Sequence, residues 1–287
     1  MIRPSALKRL RICMRVRRSK HWTKSLEVDA ARELKLCIIE DPEAGFGSDD
    51  NWCSWCLWGA AKVLIEYLTL VSDSELAGKS VLELGAGLGA VGMYLKLRGA
   101  SPVVMTDVYR ALPLLKRNVE ANQLDCKVCA LPWGTDASRL APAIREEVPF
   151  DLVVAADCTY EFQNPETPSP TLEALVKSLR LGSRALVCVS TRPQEVESFE
   201  ATLKRLDVKA KIVYRGILTD KSDGVSGCVV FAIGPAPKLA ERDGSAGDPT
   251  ADAIGLDTGA EGASCADVGD VPAATLAEGS DASGVSV

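Results

Sequence analysis

In the run VLELGAGLGAVG, residues 81–92, an acid at Glu83 is followed by glycines at Gly85, Gly87, Gly89 and Gly92. Glycine lets a backbone turn sharply and lets a ligand approach it closely. A helix beginning near Gly89 would aim its free N–H groups at the same space. Gly85, Gly87 and Ala90 satisfy the dinucleotide fingerprint G-x-G-x-x-G/A, so a pyrophosphate ligand is one reading. Glu83 weighs against it, because a carboxylate close to pyrophosphate costs about 1–4 kcal/mol across effective dielectrics of 80 to 20. A nucleoside carrying an amino acid suits the site better. Its ammonium is attracted to Glu83, and its carboxylate to the helix N-terminus.

Three further positions extend this chemistry. Asp107 closes the apolar run VVMTD, where an acid accepts hydrogen bonds from ribose hydroxyls, or caps the next helix. Trp133 in LPWG offers a flat apolar face and an indole N–H suited to a purine. Asp157 ends the apolar run DLVVAAD, at the strand end where open parallel sheets bind ligands, and Tyr160 adds an aromatic hydroxyl three residues on. An aspartate at a strand end is also a common turn residue. The two C-x-x-C pairs, Cys53/Cys56 and Cys126/Cys129, do not read as a metal site. The second pair lies in a strand, where a spacing of three sends the thiols to opposite faces. The single histidine, His21, leaves little for histidine catalysis. We expect no metal.

The elements that must position these residues alternate. Strands are expected at Glu33–Asp41, Ser80–Leu84, Pro102–Thr106, Cys126–Leu131, Asp151–Ala156 and Arg184–Ser190. Helices are expected at Leu57–Leu70, Gly89–Arg98, Tyr109–Asn122, Ser138–Glu146, Thr171–Leu181 and Gln194–Leu206. KAKIVYRGIL and SGCVVFAIG then form a hairpin. This pattern implies an α/β fold: a doubly wound, mostly parallel sheet with one antiparallel strand and helices on both faces. Residues 1–24 carry nine Lys or Arg and no acid, and are expected to be an arm, a first strand or a targeting segment. The ligand-binding domain is expected over 25–236, and 237–287 as an acidic, disordered Ala/Gly/Ser/Asp-rich tail.

Composition narrows the classes. The chain has 287 residues, a formal charge of −6 and ten cysteines, which suits free thiols in a reducing compartment. Net acidity opposes a nucleic-acid binder that works by overall attraction. No apolar run reaches the ~18 residues of a membrane span.

Taken together, LWGAAKVLIEYL, VLELGAGLGAVG, Asp107 after VVMT, LPWG and the D-x-x-Y of Asp157–Tyr160 resemble the class I, seven-β-strand methyltransferases. Within these they resemble the methyltransferase family 16 protein-lysine methyltransferases. The resemblance covers roughly residues 33–234 and implies that the 25–236 domain is a methyltransferase domain. It implies a Rossmann-like sheet of seven strands, S-adenosylmethionine as cofactor, and a protein substrate presenting a lysine. It implies cofactor contacts at Trp58, Gly85, Ala86, Gly87, Asp107, Trp133 and Ala156, joined by Glu83 from the charge argument. Asp157 and Tyr160 would stand at the methyl-transfer mouth, with Asp157 accepting a hydrogen bond from the incoming nitrogen. The basic start, acidic tail and NPETPSP segment depart from the family. A small-molecule N-methyltransferase and a non-catalytic binding module remain alternatives. A cytoplasmic monomer is expected, with a mitochondrial location as the alternative reading of the basic start.

Overall fold

Short runs of Val, Leu and Ala, buried on both sides, make the central sheet. The computed structural model describes residues 22–41, 54–159, 166–167, 169–218 and 227–240, all within one compact unit spanning Met1–Ile254. Strands β1 (Trp22–Asp29) and β2 (Leu34–Glu40) form an antiparallel hairpin. Helix α1 (Gly59–Leu70) follows, and then β3 (Val81–Leu84), α2 (Ala90–Leu97), β4 (Val103–Asp107), α3 (Leu112–Ala121) and β5 (Lys127–Ala130). The second half comprises α4 (Pro142–Arg145), β6 (Leu152–Ala156), α5 (Pro170–Leu179), β7 (Ala185–Ser190), α6 (Glu195–Arg205), β8 (Ala210–Ile217) and β9 (Gly227–Ile233).

The main sheet has seven strands in the order β5-β4-β3-β6-β7-β9-β8. Strands β3 to β7 pair in parallel, and β9 runs antiparallel to both β7 and β8. This is the mostly parallel sheet with one reversed strand that the alternating pattern implied. Chain order reverses between β3 and β6, which creates a crevice beyond their carboxyl ends.

Both faces are covered because successive strand residues point to opposite sides. Val81, Met105, Val154 and Cys188 pack with α1, α2 and α3 on one face. Leu82, Leu84, Val104, Val153 and Val187 pack with α5 and α6 on the other. Cys126, just before β5, packs with the first layer and Cys129 with the second. Among the described residues no group of His, Cys, Asp and Glu could hold a metal ion. No described helix is long and apolar enough to cross a membrane.

The hairpin is fastened by two asparagines, Asn118 on α3 and Asn122 at its C-terminal end. Asn118 Oδ1 accepts from Ile39 N at 2.7 Å, and its Nδ2 donates to Ile39 O at 3.1 Å. Asn122 repeats the pattern with Cys37, accepting at 2.8 Å and donating at 2.7 Å. The C-terminal end of helix α1 is fastened by Arg98, whose side chain is 1% exposed. Its guanidinium donates to Leu68 O and Val71 O, both at 2.8 Å, to Tyr94 Oη and to Asp73 Oδ1.

The structure departs from expectation at two places. The helix foreseen over Ser138–Glu146 is a 3-10 turn at Ala137–Arg139 followed by the four-residue α4. Pro142 explains the break: the residue before a proline is pushed out of the helical region, and Ala141 is extended at φ −58°, ψ 147°. Strand β1 starts at Trp22, so the last residues of the basic segment are strand, one of the readings foreseen for it. The chain is also still tied to α1 beyond position 236, since Ser72 N donates to Lys238 O and Ala240 N to Leu70 O. Residues 1–21 and the tail from 241 lie outside the described residues, as does Tyr160.

Candidate active site

The glycine loop joins β3 to α2 at the crevice. Gly85, Gly87 and Gly89 have φ of +61°, +53° and +80°, a region where side chains are strained. Each has different surroundings. A Cβ on Gly85 would meet Cys158 Sγ at 2.6 Å and Trp133 Cζ2 at 3.3 Å, and one on Gly89 would meet Leu115 at 2.5 Å. Among the described residues, a Cβ on Gly87 would meet nothing closer than Ser54 Cα, at 3.9 Å. Packing therefore closes the loop at Gly85 and Gly89, and among the described residues it leaves space beside Gly87, the side a ligand can approach.

Asp107, at the end of β4, shapes this loop. Its Oδ2 accepts from Gly87 N and its Oδ1 from Val108 N, both at 2.7 Å, and Ser54 adds a side-chain hydrogen bond. Burial pushes its carboxyl up from the ordinary range, and these N–H groups oppose that shift. Ser54 also draws the segment leading to Trp58 against the loop. Trp58 itself stands half-buried at the start of α1, one residue after Leu57, whose N–H donates to Glu40 Oε1. Ala86 donates its N–H to Thr106 O at 2.9 Å, tying the loop to β4. Trp133 is half-buried with its ring edge toward Gly85.

Glu83 is placed differently from the charge argument. It is 4% exposed, and its Oε2 accepts from Gly92 N at 2.9 Å, in the first turn of α2. In this position the carboxyl fixes the first turn of α2 against the loop. Burial drives its pKa from 4.5 to about 8, the Gly92 N–H opposes this, and the Asp107 charge adds to it. A carboxyl raised in the folded state binds its proton there when the unfolded chain has released it. Stability should therefore fall as pH rises between about 4.5 and 8. Exchanging Glu83→Gln removes that slope. Between pH 5 and pH 8, denaturant melts should show the variant gaining at least ~2 kcal/mol on wild type, since each tenfold change in proton affinity is worth ~1.4 kcal/mol. An unchanged difference would show that Glu83 stays ionised.

At the far side of the crevice, β6 ends in Ala156, half-buried, and then Asp157, whose φ is +56°. The side chain of Asp157 is 6% exposed. Arg192 grips it with two N–H groups, at 2.7 and 3.1 Å, and the Ser190 hydroxyl donates at 2.8 Å. Asp157, foreseen as an acceptor for the incoming nitrogen, is thus one half of an ion pair, because a carboxylate removed from water needs a cation. Arg192 also reaches Glu195, which accepts the Thr159 hydroxyl. Cys158 lies beneath the glycine loop, its thiol donating to Leu84 O at 3.4 Å.

Sequence reasoning missed Ser54, Arg192 and Glu195. The usable signal for Arg192 was its place two residues past the end of β7, beside β6, where a cation can meet a strand-end aspartate.

Comparison with known proteins decides the family. The sequence profile of the lysine methyltransferase family matches residues 44–206, more than half of the chain. The chain belongs to the lysine methyltransferase family. Mouse protein N-lysine methyltransferase METTL21A is 35% identical to this methyltransferase-family chain over 163 residues, 55% of this chain and 70% of the relative. Protein-lysine N-methyltransferase EFM6 of Saccharomyces cerevisiae is 34% identical over 148 residues, covering 44% and 56% respectively. Among solved structures, SMU.776 in complex with SAH aligns with a TM-score of 0.50 at 16% identity over 75% of this chain and 56% of that one, a likeness of fold. As a member of the family, the chain has S-adenosylmethionine as its methyl donor, and the space beside Gly87 together with the buried Asp107 fits that group.

Proposed function

We propose that this protein transfers the methyl group of S-adenosylmethionine to a lysine side chain of another protein. The observation that carries the reading is the clasped loop: positive-φ glycines open at Gly87 and held by Asp107, in a chain of the lysine methyltransferase family.

The cofactor supplies an electrophilic methyl carbon bound to a sulfonium. Gly85, Ala86, Gly87, Asp107, Trp133 and Ala156 would hold it, with Trp58 on the adjoining segment. What the protein itself must do is align the amine and exclude water. A lysine ammonium at its ordinary pKa of about 10.4 must lose a proton first, at ~4.6 kcal/mol near pH 7. A desolvated mouth lowers that cost, because burial disfavours the charged amine. The proton leaves to water, a nitrogen–carbon bond forms, and the sulfur–carbon bond breaks. Asp157 and Tyr160 would stand at the mouth where the amine arrives, with Asp157 orienting it.

Tritiated S-adenosylmethionine incubated with the protein and cell extract tests the reading. Label is expected in a protein band, released as methyl-lysine on hydrolysis. Label confined to the small-molecule fraction would favour a small-molecule acceptor, and none in either would leave a binding module.

A further inference from the structure

The turn that follows β6 is held at both ends by one cation. Arg192 Nη1 donates to Asp157 Oδ1 at 2.7 Å, and Nη2 to Asp157 Oδ2 at 3.1 Å. The same Nη1 donates to Glu195 Oε2 at 3.0 Å. Glu195 Oε1 in turn accepts the hydroxyl of Thr159. One guanidinium thus fixes Asp157 directly and Thr159 through a single carboxylate, and Ser190 adds a third tie at Asp157. The carboxylates are nearly sealed, at 6% exposure for Asp157 and 2% for Glu195.

We propose that Arg192 is a positioning residue for methyl transfer, acting through Asp157 and Glu195 to set the turn from which the chain runs on to Tyr160. The proposal rests on the methyl-transfer reading above. Asp157 occupies the left-handed region at φ +56°, which a residue with a side chain keeps when its surroundings over-determine it. The forked guanidinium provides that constraint, since two parallel N–H groups fix both the place and the plane of the carboxylate. It also separates two acids. Without it, Asp157 and Glu195 face each other across a dry space, and their repulsion opens the turn. A lysine at 192 restores the charge and lacks the fork.

The test compares full-length wild type with Arg192→Met, Arg192→Lys, Asp157→Asn and the double variant Asp157→Asn/Arg192→Met. It reads label transfer from tritiated S-adenosylmethionine to extract protein, calorimetric binding of S-adenosylhomocysteine, melting temperature, and hydrogen exchange at the amides of Cys158 and Thr159. Arg192→Met is expected to slow transfer about 100-fold, as misplacement of a reacting group by an ångström does. Binding of S-adenosylhomocysteine should stay near wild type, because the loop at Gly87 is held by Asp107. Arg192→Lys should recover part of the rate. The double variant should lose no more than the worse single, since residues in one network are not additive.

Wild-type transfer by Arg192→Met, additive losses, or a fall in S-adenosylhomocysteine affinity equal to the fall in rate would each overturn the proposal. Where Arg192→Met does not fold, Arg192→Lys carries the same comparison. If wild type itself labels no protein, the lysine reading fails, and amide exchange then decides for Arg192. Faster exchange at Cys158 and Thr159 in the variant supports the role, and unchanged exchange removes it.

Discussion

Replacing Arg98 by methionine should lower stability by about 3–5 kcal/mol, because it takes the charged donor away from two carbonyl groups and a buried tyrosine hydroxyl, and an unpaired buried acceptor costs about 1–3 kcal/mol. Leu68 O and Val71 O would lose their donor at the end of α1, where a cation also meets the negative end of the helix dipole. Tyr94 Oη and Asp73 would lose theirs as well. Methionine keeps much of the stem's volume, so packing is largely preserved and the loss reports on the guanidinium. For a domain of this size, 2–4 °C per kcal/mol gives a melting temperature lower by roughly 6–20 °C. Thermal unfolding followed by circular dichroism measures it. A shift under about 3 °C, on the same scale, would mean that water replaces the cation at no great cost.

Asp107→Ala is the change expected to act most strongly on the cofactor. Two backbone N–H groups, Gly87 and Val108, would lose a charged acceptor at 2.7 Å, and Ser54 would lose its partner. A hydrogen bond to a charged group contributes about 1.5–3 kcal/mol, so S-adenosylhomocysteine affinity should fall on the order of 10- to 150-fold even if a single such bond matters to the loop's shape. The same bonds hold the loop before a ligand arrives, so the melting temperature should fall as well, by about 2–4 °C for each kcal/mol lost. Calorimetric titration beside a melting curve separates the two. Equal affinity in wild type and variant would show that the glycines hold their shape without Asp107.

The sheet was readable from the sequence because its strands are runs of Val, Leu and Ala, such as LVVAA and ALVCVS, separated by helical periods. The loop at Gly85–Gly89 was readable because local conformation demands glycine there. What stayed hidden depends on partners distant in the chain. Glu83 reads as a charge available to a ligand until α2 folds over it and Gly92 N–H takes up its oxygen. Asp157 reads as a free acid until β7 lies beside β6 and brings Arg192 across a gap of 35 residues. Asn118 and Asn122 look like ordinary polar helix positions, and their partners lie 79 and 85 residues earlier. The α4 region failed for a local reason, since Pro142 vetoes the helix that its neighbours' periodicity suggests.

The paired asparagines work as a vernier between two kinds of backbone. Four residues of α-helix advance about 6 Å, and two residues of strand about 6.6–6.8 Å, so amides at 118 and 122 meet alternate peptide groups of β2. The match admits discrete steps alone: sliding the strand by one residue would turn the wrong edge to both side chains and break all of these bonds together. Because Glu40 at the end of the same strand holds Leu57 N, the pitch of α3 is carried through β2 to the residue that precedes Trp58.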